Sequence, residues 1–476
     1  MKKIFINIIL AFSLIIGNAQ NEIDALRYSA HNPVGTARFI SMGGAFTALG
    51  GEFTGLSLNP AGLGMYQVSE VIFTPSLKFN ETKSYFNNSN ISSYTSDLSV
   101  GNMGIIFAIP QNNKDWKRIN IGIGWNQLNN YNQSIKIEAI NYENSVVDQI
   151  ISVTNGITSG ELSNGVGDTY SQLAWNTYLI DPKFNNIGII DGEYTSNFSE
   201  NPKLQSKIIS SSGSMNEFVF SFGSTYQEKL YVGATIGFPT LDYYEYSEYS
   251  EREISDTANN LRQMILSEEI TAQGNGYNLK VGLIYRLSEK IKIGGSLHTP
   301  TFFSLEEDYN ISMSTLFKDS TLNYSMGYLT PFLYDLVTPL RASIGASFIY
   351  KNLLFSGDYE MIDYSKSEYF TTDFENENLK ISKIYQRAEN IKIGAEYNIK
   401  PFVVRAGYAK IGNAFKNKNF ERENFSYGLG INSGSYFFDL AYILSQAKND
   451  YKLYDELDIN LKNTQHNLVF TLGCRF

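Results

Sequence analysis

Apolar residues recur at every second position through the last ten residues of the chain. Leu468, Phe470, Leu472, Cys474 and Phe476 share one face of an extended strand, and Asn467, Val469, Thr471, Gly473 and Arg475 share the other. The same alternation recurs upstream. Ile391, Ile393, Ala395, Tyr397 and Ile399 oppose Lys392, Gly394, Glu396 and Asn398; after Lys400-Pro401, Phe402, Val404, Ala406 and Tyr408 oppose Val403, Arg405, Gly407 and Ala409. Similar runs lie near 67–79, 98–109, 117–131, 215–226, 229–239, 270–286, 290–311, 338–350, 352–364, 423–432 and 434–446, which makes 14 in all. Short connections alternate with long ones, the latter at roughly 80–97, 132–214, 240–269, 312–337, 365–384, 410–422 and 447–463. An even strand number with both ends on the short-turn side is the pattern of an outer-membrane barrel. The expected fold is therefore all-β: a 14-stranded antiparallel transmembrane β-barrel over 67–476, with helices in its extracellular loops. Helical spacing of apolar residues places those helices near Tyr142–Val153, Tyr170–Leu179 and Ala258–Leu266.

The first residues carry a different signal. Lys2 and Lys3 precede an apolar run from Ile4 to Ile16, followed by Gly17-Asn18-Ala19. This reads as a secretory signal peptide over 1–19, too short to span a bilayer comfortably. Its removal takes two lysines from a net charge of −10, leaving −12, which argues against nucleic acid as a partner. Residues 20–66 precede the first strand and are too apolar for a solvated tail. They include Gly43-Gly44 and Gly50-Gly51, and then Asn59, Pro60, Ala61 and Gly62, a turn-forming run. A compact hatch inside the lumen is expected. Glycines on the polar face of the strands (Gly282, Gly294, Gly394, Gly407, Gly428 and others) leave room for it.

Composition agrees with strands and membrane-interface girdles: 33 tyrosines, 31 phenylalanines and 38 glycines against 11 prolines and one cysteine. The histidines are His31, His298 and His466, with no glycine-flanked nucleophile and no metal-ligand spacing, so no enzyme, cofactor or metal is expected. The acidic run Asp242, Glu245, Glu248, Glu251, Glu253 and Asp256 reads as a solvated exterior.

Several segments resemble the FadL-type outer-membrane transport proteins. These are Gly43-Gly-Ala-Phe-Thr-Ala-Leu-Gly-Gly-Glu with Leu58-Asn-Pro-Ala-Gly-Leu, Gly276-Tyr-Asn-Leu-Lys-Val-Gly-Leu-Ile-Tyr-Arg, Thr338-Pro-Leu-Arg-Ala-Ser-Ile-Gly-Ala and Ile391-Lys-Ile-Gly-Ala-Glu-Tyr, and the likeness covers nearly the whole mature chain. The resemblance implies a 14-stranded barrel closed by an N-terminal hatch in the outer membrane of a Gram-negative bacterium. It further implies passive uptake of hydrophobic compounds, such as long-chain fatty acids or aromatic hydrocarbons, with lateral exit beside a kinked third strand. Gly122 and Gly124 lie in that strand. Phe39, Met42 and Phe46 are candidates to line an apolar ligand pocket, and Lys280, Arg341 and Arg405 to meet a carboxylate. The expected partners are the ligand and outer-membrane lipid, with the chain acting as a monomer. The alternative is a barrel that serves as a subunit of an outer-membrane assembly such as a protein secretion translocon.

Overall fold

The computed structural model describes residues 22–32, 34–112, 115–198, 202–254, 260–327, 331–371, 374–418, 420–454 and 457–476. The expected signal peptide, 1–19, and the first two residues of the expected hatch lie outside them. The chain forms a closed antiparallel barrel of 14 staves. Staves one and two are Glu70–Phe86 and Ser89–Pro110; stave three has two parts, Trp116–Asn130 and Gln133–Asn141. Staves four to six are Lys203–Tyr226, Leu230–Glu253 and Leu261–Arg286. Stave seven joins Ile291–His298 to Phe302–Phe317, and stave eight joins Thr321–Gly327, Phe332–Val337 and Arg341–Tyr350. Staves nine to fourteen are Leu353–Asp363, Arg387–Ile399, Phe402–Ile411, Phe420–Ser433, Tyr436–Tyr454 and Leu457–Arg475. Stave one pairs with stave fourteen, Val71 opposite Cys474 and Leu77 opposite Leu468. That pairing closes the sheet and gives its edge strands their backbone partners.

Period-two alternation has the consequence the sequence implies. Phe218, Phe220 and Phe222, Leu279, Val281 and Leu283, and Ile391 and Ile393 all stand exposed on the outer face. On stave six this apolar stretch runs from Tyr277 to Tyr285, eight steps that span roughly 26 Å at ~3.3 Å each. A belt of that height, edged by Tyr277, Tyr285, Tyr350, Tyr397 and Tyr436, matches the hydrocarbon thickness of a membrane. No helix of the described residues is long and apolar enough to cross one.

The staves run further on the long-loop side than alternation predicts. The expected loop at 80–97 is strand up to a turn at Asn87, whose φ of 50° is left-handed. Most of 240–269 and 447–463 is strand as well, whereas 410–422 is strand only at its two ends. The helix expected over Ala258–Leu266 is absent where described: Leu261–Leu266 pairs with stave seven from Phe317 to Met313. These extensions mix polar and apolar residues, with Tyr249, Leu261, Met264 and Leu461 buried among polar neighbours, so the period-two signal fades although the ladder continues. The long loop keeps its helices, at Val146–Thr154, Ser159–Ser163 and Thr169–Asn176, together with a separate hairpin, Ile180–Asn185 and Gly188–Ser196.

Residues 22–32 and 34–66 run along the lumen. Helix Glu22–Ser29 lies near the long-loop end, with Tyr28 buried among Tyr243, Tyr334, Tyr369 and Tyr385. Helix Ala37–Ser41 follows, and then 3-10 turns Thr54–Ser57 and Pro60–Met65. The wall receives this segment at glycines. Positions where β-carbons would stand are taken by Met42 at Gly394 and Gly407, by Ser41 at Gly428, by Thr47 and Ala48 at Gly294, and by Asn59 at Gly282.

Candidate functional site: a cavity behind a break in the backbone ladder

Stave three is where the wall changes character. Its backbone ladder with stave two runs from Pro110–Arg118 to Asn102–Asn126 and ends there. Register shifts against stave four fall at Trp116/Arg118 and at Gln127/Asn129. Beyond the second shift, Gln133–Asn141 pairs with stave four alone. On the other side, side chains replace the ladder. Asp97 accepts from the amides of Asn130 and Asn132, each at 2.7 Å, and Ser93 Oγ donates to the Ser134 carbonyl at 2.7 Å. Lys78 Nζ donates to Asn130 Oδ1 at 3.2 Å and to the carbonyls of Asn130 and Asn132. A wall held by side chains opens at lower cost than one held by a continuous ladder.

The irregularity lies above the glycines singled out from the sequence. Pairing runs through Gly122 and Gly124 on both sides without a shift. Their missing side chains instead leave room for Leu56 and for the ring of Phe53.

A cavity of about 1210 Å³ lies directly behind this side-chain-held stretch. It is lined by Gln127 to Gln133, by residues between 22 and 32 with Val34, Phe39 and Leu58, and by Thr169 and Tyr170 of the long loop. Leu128, Ile135, Ile209, Ile270, Ile311 and Phe415 give it apolar surface, interspersed with asparagine and glutamine side chains. That mixture suits an apolar body with a polar end.

The residues nominated from sequence divide by position. Phe39 and Arg341 border the cavity. Met42 and Phe46 are buried in the packing between the N-terminal segment and staves thirteen and fourteen, and the Phe46 ring centroid lies 5.4 Å from that of Phe39. Lys280 is fully engaged with Glu217, which also accepts from Asn278 and Ser57. Arg405 sits between Glu396 and Asp439, and Arg38 reaches the same Glu396 at 3.0 Å. Arg341 donates to the Ser29 carbonyl. Asn59 accepts from Ala61 N at 3.1 Å, starting the turn at Pro60, and its amide donates to the carbonyls of Thr47, Leu283 and Gly295. Ala61 is fully buried, and Gly62 lies against the backbone of Gly50.

His298 Nε2 lies 2.7 Å from the Leu58 carbonyl, His31 borders the cavity, and His466 contacts the Tyr442 hydroxyl. Lys78 and Arg422, both at the cavity, were not singled out from the sequence. Each is one polar residue among many, Lys78 midway along stave one and Arg422 near the start of stave twelve, and only the closed barrel brings these staves to the same chamber.

No protein family's sequence pattern matches the chain, and no curated protein is similar to it in sequence. Solved structures are similar in fold. The toluene transporter TodX of Pseudomonas putida is 13% identical, with a TM-score of 0.52, over 94% of this chain and 99% of its own. A FadL homologue of Pseudomonas aeruginosa is 10% identical, with a TM-score of 0.53, over 94% of this chain and 99% of its own. At such identities the likeness concerns architecture: the chain has the closed 14-stave barrel fold of the toluene transporter and the FadL homologue along almost its whole length.

Proposed function

We propose that this chain is an outer-membrane channel for the passive uptake of hydrophobic small molecules, long-chain fatty acids or similar, through a hatch-occluded barrel with lateral exit. The observation that carries the reading is the adjacency of two features, a 1210 Å³ cavity on the long-loop side and the end of the stave two–three ladder beside it. A molecule entering from outside would rest its apolar portion on Leu128, Ile135 and Ile311. Each methylene moved from water contributes about 0.8 kcal/mol, so binding needs few polar contacts. The N-terminal segment closes the route straight down. It is held by Asp358, which accepts from Thr47 N at 2.8 Å, by Asn59, and by Thr471, which accepts from Ala37 N at 2.8 Å. The break in the ladder at Asn126–Asn132 then provides a sideways route into the membrane. No step calls for bond making or breaking, so the reading needs no catalytic group.

The experiment is uptake of a radiolabelled long-chain fatty acid by cells that lack their own outer-membrane route for it, with and without this barrel. Uptake that depends on the barrel and saturates supports the reading; uptake equal to that of the empty strain rejects it.

One observation favours a second reading, a subunit of an outer-membrane assembly such as a secretion translocon. The tip of hairpin Ile180–Ser196 exposes Phe184, Ile187 (96% exposed) and Ile189 away from the belt, and exposed apolar clusters of this kind mark contact surfaces. Co-purification of one stoichiometric partner that is lost with Ile187→Asp would support that role.

A further inference from the structure

Most cations of the barrel interior have a carboxylate partner. Lys280 has Glu217, Lys392 has Glu360 at 3.0 Å, Arg405 has Asp439, Arg38 has Glu396, and Arg475 has Glu70 at 2.9 Å. Four differ among the described residues: Arg341 and Lys292 are each taken up by a carbonyl of the N-terminal segment, of Ser29 and of Leu49, and the other two are Lys78 and Arg422. Among the described residues, neither has a carboxylate oxygen within ion-pair distance, and the contacts both make are to neutral groups. Arg422 donates to Asn32 Oδ1 and to Ser445 Oγ at 3.2 Å. The two cations border the same cavity, and the positive charge of Arg422 acts unfavourably on Lys78. Asp97 acts on Lys78 from beyond ion-pair distance, and its two oxygens are occupied by Asn130 and Asn132. Asn80, two residues along the same face from Lys78, borders the cavity with its buried Oδ1 unpartnered.

Uncompensated cations in a partly apolar chamber are costly, and an arriving anion recovers that cost. The neutral acceptors they now hold are parts of the wall's side-chain latch. Lys78 grips Asn130 and Asn132, and Arg422 grips Asn32, whose amide donates to Asn129 Oδ1 at 2.6 Å. An oxyanion that takes over Lys78 and Arg422 therefore loosens Asn129–Asn132 on both sides at once.

We propose that Lys78 and Arg422 form the head-group site for an amphiphile carrying a carboxylate or phosphodiester, and that its binding releases the latch between staves two and three. This rests on the uptake reading and narrows its passenger to anionic amphiphiles, setting aside neutral hydrocarbons. A phosphodiester head that also bears a hydroxyl would donate to Asn80 Oδ1, which a plain carboxylate leaves unused.

The test uses the purified full-length barrel with three sixteen-carbon probes: hexadecanoate, palmitoyl lysophosphatidylglycerol and hexadecanol. Native mass spectrometry reports affinity, and hydrogen exchange reports the state of 127–132. Wild type is expected to bind at least one anionic probe roughly tenfold or more tighter than the alcohol. That probe should raise exchange at 127–132, and the alcohol should not. Lys78→Met and Arg422→Gln should erase both differences while alcohol binding stays unchanged, which also shows that the variants fold. The anion that binds tighter identifies the head group, and an effect of Asn80→Ala confined to the lysophospholipid assigns the hydroxyl contact. Equal affinity for alcohol and anions, or variants that keep the preference, overturns the head-group site. Preference without a change in exchange overturns the release. Failure of all three probes to bind wild type overturns the uptake reading itself.

Discussion

The side-chain oxygen of Asn59 occupies the place where a β-carbon on Gly282 would stand. One residue belongs to the N-terminal segment and the other to the wall of stave six, so a single added methyl sets one against the other. Gly282→Ala is expected to unseat the turn at Pro60–Met65 and lower stability by about 1–3 kcal/mol, as overpacking typically does. Gly295→Ala is the control, because its nearest neighbour there is the Ser343 carbonyl at 3.7 Å. Limited proteolysis checks the difference: residues 34–66 should become cleavable in the first variant and stay protected in the second.

The pair Lys280 and Glu217 is buried on both sides. Replacing Glu217 by Gln leaves the lysine charge without its counter-ion, at an expected cost of about 3–5 kcal/mol. Lys280→Met combined with Glu217→Gln should recover most of that loss. Denaturant unfolding of the reconstituted barrel measures the series, and equal destabilisation of single and double variants would show that the charge is not the cause.

Glu251 stands on the extension of stave five, beyond the apolar belt, and anchors the long loop. It accepts from Val146 N at 2.9 Å and from the hydroxyls of Ser145 and Tyr249 at the start of helix Val146–Thr154. The sequence alone reads it as part of a solvated acidic surface, yet it is fully buried. Burial pushes its carboxyl above the usual carboxylate range. The folded form thus binds the proton more tightly than the unfolded one, and the stability this group contributes falls as pH rises through that range. Protection of residues 146–154 should decline from acid toward neutral pH more steeply in wild type than in Glu251→Gln. Hydrogen exchange compared between the two at each pH isolates the effect, and parallel profiles would contradict it.

Arg38 of the N-terminal segment and Arg405 of stave eleven both bond to Glu396. A double-mutant cycle of Arg38→Ala and Glu396→Ala should give a coupling of about 0.5–3 kcal/mol in thermal unfolding. A coupling near zero would mean that the segment is held by its glycine seats alone.

The barrel was legible because lipid and lumen impose opposite chemistry on alternate residues. Phe402, Val404 and Ala406 against Val403, Arg405 and Gly407 show a strand without any knowledge of its neighbours. The lumen glycines were legible as space, and Gly394 and Gly407 prove to be seats for Met42 and Gly43. Beyond the belt the rule lapses, so Leu261–Leu266 looks helical in sequence although ladder pairing makes it strand. The pairing of lumen charges was not legible at all. Lys280 and Glu217 are 63 residues apart, and nothing local to either signals the other. For the same reason Lys78 and Arg422 gave no sign of sharing a chamber, and Gln127/Asn129 gave none that the ladder shifts there rather than at Gly122 or Gly124.

Sideways exit and exit past the hatch are separated most directly by cross-linking each in turn, in a Cys474→Ser background. Asp97→Cys with Asn130→Cys bridges the break in the ladder, where the native side chains meet at 2.7 Å. Arg38→Cys with Glu396→Cys ties the N-terminal segment to the wall at stave ten, where the native side chains meet at 3.0 Å. With each pair joined by a short thiol cross-linker, uptake of radiolabelled hexadecanoate is measured in whole cells. Lateral exit predicts that the first bridge blocks uptake and the second leaves it near the uncross-linked rate. Blockage by the second with free passage through the first would contradict the account.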